Sequence, residues 1–282
     1  MQATSGREDH EMTVFTPGTD QVLFQQQGRV AVLTLNRPEA RNALSPELSR
    51  ALREGIAWVA GEPTVGALVI AGSGSAFCAG GDVKAMGRKS DGPPPSHEAQ
   101  FRELQRRHHG LGGALYQLRK PTLAVLPGAA AGAGLAIALA CDLRIASDNT
   151  FLTAGYRGVG LSGDYGIAWL LTRVVGQARA REYMLTGRRI QADEAERVGL
   201  LNQVVAADAL QDAAMGLAAQ LAEGPQIALA YMKDNLDEAL TIDHATAIDR
   251  EADRLLKARS THDHREAVRA FAEKRPPNFT GS

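Results

Sequence analysis

Cysteine is scarce in this chain of 282 residues: Cys78 and Cys141 are the only two. Two thiols build neither a disulfide framework nor a cysteine metal cluster, and they fit a reducing, cytoplasmic setting. An excess of either charge sign is also missing. Thirty-one Lys and Arg stand against 32 Asp and Glu, a net charge of −1, so no global field draws nucleic acid and any anion site must be local. An export signal is lacking too, since residues 1–20 carry Glu8, Asp9, Glu11 and Asp20 and no long apolar run. The longest uncharged stretch, 121–141, holds Pro121, Pro127 and three glycines, with Ala outnumbering Leu. It reads as a buried strand, a turn and a buried helix, so no membrane partner is expected.

What is present is an ordinary globular composition, 44% hydrophobic and 22% charged. Residues 1–12 read as a disordered tail. Residues 22–26 and 30–35 read as a hairpin around Gly28-Arg29. Ser45 before Pro46 marks a helix start, with Ser45 as N-cap, running to about residue 60. Strands are expected at 65–71, 123–126, 143–146 and 204–205. Helices are expected at 98–118, 132–140, 166–175 and 178–186. A polar Gly/Pro-rich stretch at 87–95 is expected to be mobile. From Asp208 onward the pattern is almost wholly helical, with Leu255, Leu256, Val268 and Phe271 forming an apolar face amid charge. The fold class is therefore α/β, in repeated strand-strand-helix units followed by a helical tail. The division is a core over 13–206 and a helical region over 207–282.

Two segments carry the chemistry: 75–82 (SAFCAGGD) and 127–142 (PGAAAGAGLAIALACD). Each ends a strand in Gly and Ala and opens a helix. Small residues there allow a ligand to approach bare backbone. Unpaired N–H groups at a helix start favour negative charge. Two such turns facing one another can hold one oxyanion between two backbone donors. The second segment contains no acidic residue before Asp142. It fits neither GxxxxGK[ST] nor GxGxxG, because Ile137 stands where the third glycine belongs.

Taken with Asn36-Arg37-Pro38-Glu39-Ala40-Arg41-Asn42-Ala43-Leu44, Ala76-Phe77-Cys78-Ala79-Gly80-Gly81-Asp82, the 128–142 segment, Leu171-Thr172-Arg173-Val174-Val175-Gly176 and 271–279 (FAEKRPPNF), these segments resemble the crotonase (enoyl-CoA hydratase/isomerase) superfamily over nearly the whole chain. The resemblance implies a spiral of strand-strand-helix turns with a C-terminal helical region that builds homotrimers or hexamers. It implies an acyl-CoA substrate, with coenzyme A as part of that substrate and no metal or redox cofactor. It places the thioester oxyanion between the N–H groups of Ala79 and Ala133. It puts Arg41, Ala43, Gly80, Gly81, Asp82 and Tyr156 around the substrate. Arg37, Arg41, Lys84, Arg88 and Lys274 can meet CoA phosphates, or, like most solvent-facing Lys and Arg, meet only water.

The family commonly has Gly where Ala133 stands, and its hydratases carry two glutamates where this chain has Ala136 and Tyr156. Ala136 cannot move a proton, and a tyrosine of ordinary pKa near 10 is a poor base at neutrality. The acidic candidate is Asp164, in Gly160-Leu161-Ser162-Gly163-Asp164-Tyr165-Gly166. A single base suits double-bond isomerisation; hydration with Asp164 and a water, or a non-catalytic acyl-CoA-binding subunit, are the alternatives. Several residues also have plainer readings. Asp164 and Asp82 each precede a helix and can cap it. Cys78 can be a small buried hydrophobe, and His108-His109 can be structural. His262 and His264, two apart, do not share a helix face as metal ligands would.

Overall fold

The structure is a computed structural model that describes residues 14–82 and 95–282. The expected tail at 1–12, Lys84, Arg88 and all but the last residue of the 87–95 stretch lie outside the described residues.

Strand β1 (Val22–Gln27) turns at Gly28, φ +57°, and pairs antiparallel with β2 (Val30–Leu35). From β2 onward the main sheet is parallel: β3 (Ala67–Gly72), β5 (Thr122–Leu126), β7 (Leu143–Ser147) and β10 (Gln203–Val205), in the order β1-β2-β3-β5-β7-β10. These strands are nearly continuous apolar runs because both faces are covered. Residues alternate between the two: Ala31, Leu33 and Leu35 meet α1 (Pro46–Gly61), while Val30 and Val32 meet α6 (Leu210–Ala222) through Leu210, Ala214, Ala218 and Ala222. Gly66 lets α6 come this close, since a Cβ there would sit 2.3 Å from the Ala222 carbonyl oxygen.

A second sheet, not anticipated from the sequence, lies beside the first in the order β4-β6-β8-β9. Its members are short: β4 (Ala76–Cys78), β6 (Ala129–Ala131), β8 (Phe151–Thr153) and β9 (Ile190–Gln191). Each successive unit, β3-β4, β5-β6 and β7-β8, therefore sends one strand to each sheet before its helix. That repetition is the crotonase-type spiral. The helices that follow are α2 (His97–His108), α3 (Ala133–Ala140) and α4 (Ile167–Thr186). Helix α2 continues through a π-helical turn, His109–Gly113, into Ala114–Tyr116. Helix α4 breaks at Gly176, φ +74°, where two separate helices were expected.

After α5 (Ala192–Arg197) and β10 the chain is helical: α6, α7 (Gln226–Glu238), α8 (His244–Arg259) and α9 (His262–Glu273). Helix α7 is moored to the core where Lys233 Nζ donates to the Leu118 and Lys120 carbonyls and to the Asp142 carboxylate at 2.7 Å. The apolar side chains of the last helices face outward: Leu236 is 70% exposed, Leu255 68% and Phe271 88%. Among the described residues no helix is long and apolar enough to cross a membrane.

Candidate active site

The first Gly/Ala turn follows β4. Here the Ala79 N–H donates to the Arg41 carbonyl at 2.9 Å, and the Gly80 carbonyl accepts from Leu44 N at 2.8 Å. The expected oxyanion donor at Ala79 is thus corrected. A peptide has one N–H, and the returning 37–44 loop takes it. Gly80, φ +90°, then reverses the chain and sends its own N–H back to Cys78 Sγ. The next N–H, that of Gly81, has no acceptor among the described residues.

The second turn follows β6. Gly132, φ +53°, donates to the Thr153 carbonyl at 3.0 Å and opens α3. Ala133 is the first helical residue, so its N–H is one of the unpaired donors every helix start leaves. The non-glycine residues with left-handed φ among those described are Arg41, Asn42, Tyr165 and Lys274. Ala133 is not one of them, so alanine meets no left-handed backbone strain where the family commonly has glycine. The two turns touch. A Cβ on Gly80 would stand 3.3 Å from Ala133 N, and one on Gly134 would stand 2.3 Å from the Cys78 carbonyl oxygen. The Gly81 and Ala133 donors therefore belong to adjoining turns.

Asp164 reaches the same place by another route. It does not cap α4: the N-cap is Gly166, with no side-chain cap hydrogen bond. Instead the Tyr156 hydroxyl donates to Asp164 Oδ1 at 2.5 Å. Tyr156 is buried, and its ring abuts the second turn, with Cζ 3.8 Å from where a Gly132 Cβ would be. The backbone around Asp164 is tightly wound: Gly163, Tyr165 and Gly166 have φ of +130°, +49° and +79°. A bulky residue in left-handed backbone costs about 1–3 kcal/mol and persists only where surroundings enforce it. Here the enforcement is packing, because buried Tyr165 lies against the His108 ring, centroids 4.4 Å apart, and against Gly112 in the π-helical turn.

The electrostatics follow from burial. Burial raises the Asp164 carboxyl above the usual carboxylate range, more than the Tyr156 hydrogen bond and the nearby His108 and Arg107 lower it. Burial and the Asp164 charge push the Tyr156 phenol up, so it stays protonated and donates. Burial lowers His108 despite the attraction of Asp164. Both cysteines are free and buried, and burial pushes each thiol up to about 12. Cys78 Sγ donates to the Asn42 carbonyl at 3.0 Å. A protonated, occupied thiol is no nucleophile.

Of the remaining expected residues, Ala43 is buried and its carbonyl accepts from Arg37 Nη1 at 2.6 Å. Asp82 pairs with Arg37 at 3.3 Å. Arg41 is exposed, as are Lys274 at the end of α9 and His262 and His264 at its start. Ala136 is buried within α3. Two contributors were not read from the sequence. Asn42 is buried and locks the 37–44 loop, donating to the Ser73 and Ala76 carbonyls at 2.9 and 2.8 Å while accepting from Arg37 N. His108 was read as structural, yet it stands against Tyr165 and in the field of Asp164. The π-helical turn that follows it has no signature that a helical pattern would reveal.

Comparison with known proteins supplies a context for this geometry. A family model described as enoyl-CoA hydratase/isomerase matches residues 25–282. The 1,2-epoxyphenylacetyl-CoA isomerase of Escherichia coli K12 is 36% identical over 260 residues, 92% of this chain and 98% of that protein. The short-chain-enoyl-CoA hydratase of Clostridium acetobutylicum is 32% identical over 260 residues, 90% of this chain and 95% of that one. The crystal structure of an enoyl-CoA hydratase from Mycobacterium smegmatis superposes with a TM-score of 0.84 at 33% identity, covering 93% of this chain and 99% of the other.

Proposed function

Because the chain belongs to the enoyl-CoA hydratase/isomerase family, and is an acyl-CoA enzyme of that type, we propose that its reaction is double-bond isomerisation with Asp164 as the single acid and base. The observation that carries this reading is a half-buried carboxylate, held by Tyr156 beside the second donor turn, with Ala136 where a second carboxylate would stand. In it, the thioester carbonyl of a 3-enoyl-CoA accepts from Gly81 N–H and Ala133 N–H. Asp164 removes a proton from C2, and the electrons of that bond pass into a dienolate whose oxygen the two donors stabilise. The same proton returns at C4, giving the 2-enoyl thioester. Each donor of such a hole is worth about 3–4 kcal/mol in the transition state. No metal or redox cofactor takes part, and coenzyme A enters only as part of the substrate.

Burial of Asp164 supports the role, because a carboxyl raised above its ordinary range abstracts a carbon acid proton better than a solvated one. The test is Asp164→Asn, assayed in both directions on 3-enoyl- and 2-enoyl-CoA. Loss of at least about 100-fold in kcat is expected; turnover equal to the parent removes Asp164 from the mechanism. The relatives named as hydratases support a second reading, in which Asp164 activates a water. Incorporation of solvent oxygen at C3 of the product selects that reading over isomerisation. In the quaternary part of the proposal, the outward apolar residues of α7, α8 and α9 are the contact face of a homotrimer or hexamer.

A further inference from the structure

We infer that Tyr156 is a positioning residue that occupies one carboxylate oxygen of Asp164, so that the other, Oδ2, alone carries the proton from C2 to C4. This rests on the reading of Asp164 as acid and base.

An untethered carboxylate has two equivalent oxygens and exchanges them by rotation. Asp164 is not untethered. Its Oδ1 accepts from the Tyr156 hydroxyl at 2.5 Å, a short charge-assisted contact. Tyr156 cannot swing away, since it is buried and its ring abuts the Gly132 turn. The backbone of Asp164 is fixed as well. Left-handed residues flank it on both sides, and its carbonyl accepts from Ile167 N at 3.1 Å. Burial keeps the phenol protonated, so it is a permanent donor and never competes as the base.

The proton count closes without Tyr156 losing its own. Oδ2 takes the C2 proton, the C–H electrons enter the dienolate, and the dienolate takes the same proton back at C4 while Asp164 returns to its anionic form. A proton held on one fixed oxygen in a half-buried site has little opportunity to exchange with solvent between these steps.

The sign of the pH effect follows from what surrounds the carboxylate: Tyr156 from the turn after β8, His108 and Arg107 from α2, Cys78 from β4 and adjacent Tyr165. The Tyr156 hydrogen bond favours the charged form, so its removal raises the Asp164 pKa further. The basic form is the one that takes the proton from C2. The acid limb of kcat must then move to higher pH when the hydroxyl is lost.

The experiment is Tyr156→Phe in the full chain, with Asp164→Asn alongside, turning over a 3-enoyl-CoA deuterated at C2. Expected are a kcat about tenfold lower or less, a KM within about twofold of the parent and an acid limb about one unit higher. The share of label carried from C2 to C4 also falls. If Tyr156→Phe fails to fold, 3-fluorotyrosine placed at position 156 gives the opposite displacement, because a more acidic phenol donates more strongly and draws the limb to lower pH. A uniform loss of kcat with limb and label transfer unchanged overturns the inference and leaves Tyr156 a packing residue. Full activity in Asp164→Asn overturns the underlying reading of Asp164 instead.

Discussion

Gly134 has no room for a side chain. A Cβ there would stand 2.3 Å from the Cys78 carbonyl oxygen and 2.7 Å from the Cys78 Cβ, neither of which can rotate away. Gly134→Ala therefore has to push the start of α3 off β4, and with it Ala133 from Gly81. We expect a loss of about 1–3 kcal/mol in stability, read as a lower Tm. We also expect a fall in kcat measured well below that transition, because the donors are misplaced in molecules that remain folded. An unchanged kcat would mean that the spacing of the two turns does not matter to the chemistry. The glycine and alanine pattern of these turns was legible in the sequence; which N–H was left over was not. That depended on the Arg41 carbonyl, delivered by a loop that buried Asn42 fastens in place, and no local pattern at Ala79 announces it. Asp164 was legible as an acidic candidate in the same sense. The fall of the helix cap on Gly166 removes only the capping reading of Asp164.

At the scale of elements, the parallel strands were readable because burial on both faces makes them apolar throughout, as in β5, where all five residues are buried. The smaller sheet was not readable, since strands of two or three residues are too short to show alternation. Yet that sheet sets the site: β4 and β6 each run directly into a donor turn. Helix α1 shows local signals at their clearest. Ser45 Oγ accepts from Leu48 N at 3.0 Å and donates to Gln21 Oε1, with Pro46 opening the helix. Ser45→Ala should cost about 1 kcal/mol, seen as a lower urea midpoint at unchanged slope. A midpoint equal to the parent would mean that the helix start is held by packing alone.

At the scale of the molecule, the outward apolar residues of the last helices set an expectation about mass. Leu255 at 68% and Phe271 at 88% exposure are large apolar side chains that a solitary chain would leave in water. The protein should sediment at three or six times its 30.0 kDa chain mass. The double variant Leu255→Glu, Phe271→Glu should shift toward single chains. Sedimentation of the parent at 30.0 kDa across micromolar concentrations would refute assembly through this face. The helical character of this region and its apolar spacing were plain in the sequence. Which way the apolar face points was not, because a spacing pattern is the same whether it meets the chain's own core or another copy.

The two cysteines lead to a different kind of consequence. Cys78 lies beneath the first donor turn and Cys141 closes the helix that begins at the second, both fully enclosed and protonated at any physiological pH. An alkylating reagent can meet either sulfur only in molecules where that surrounding structure has momentarily come apart. The rate at which the native chain takes up label then reports the opening of the scaffold around the two donor turns, as its frequency where labelling outpaces reclosing and as the open population where it does not. The chain thus carries a clock for the breathing of its own site, one thiol at each end of α3.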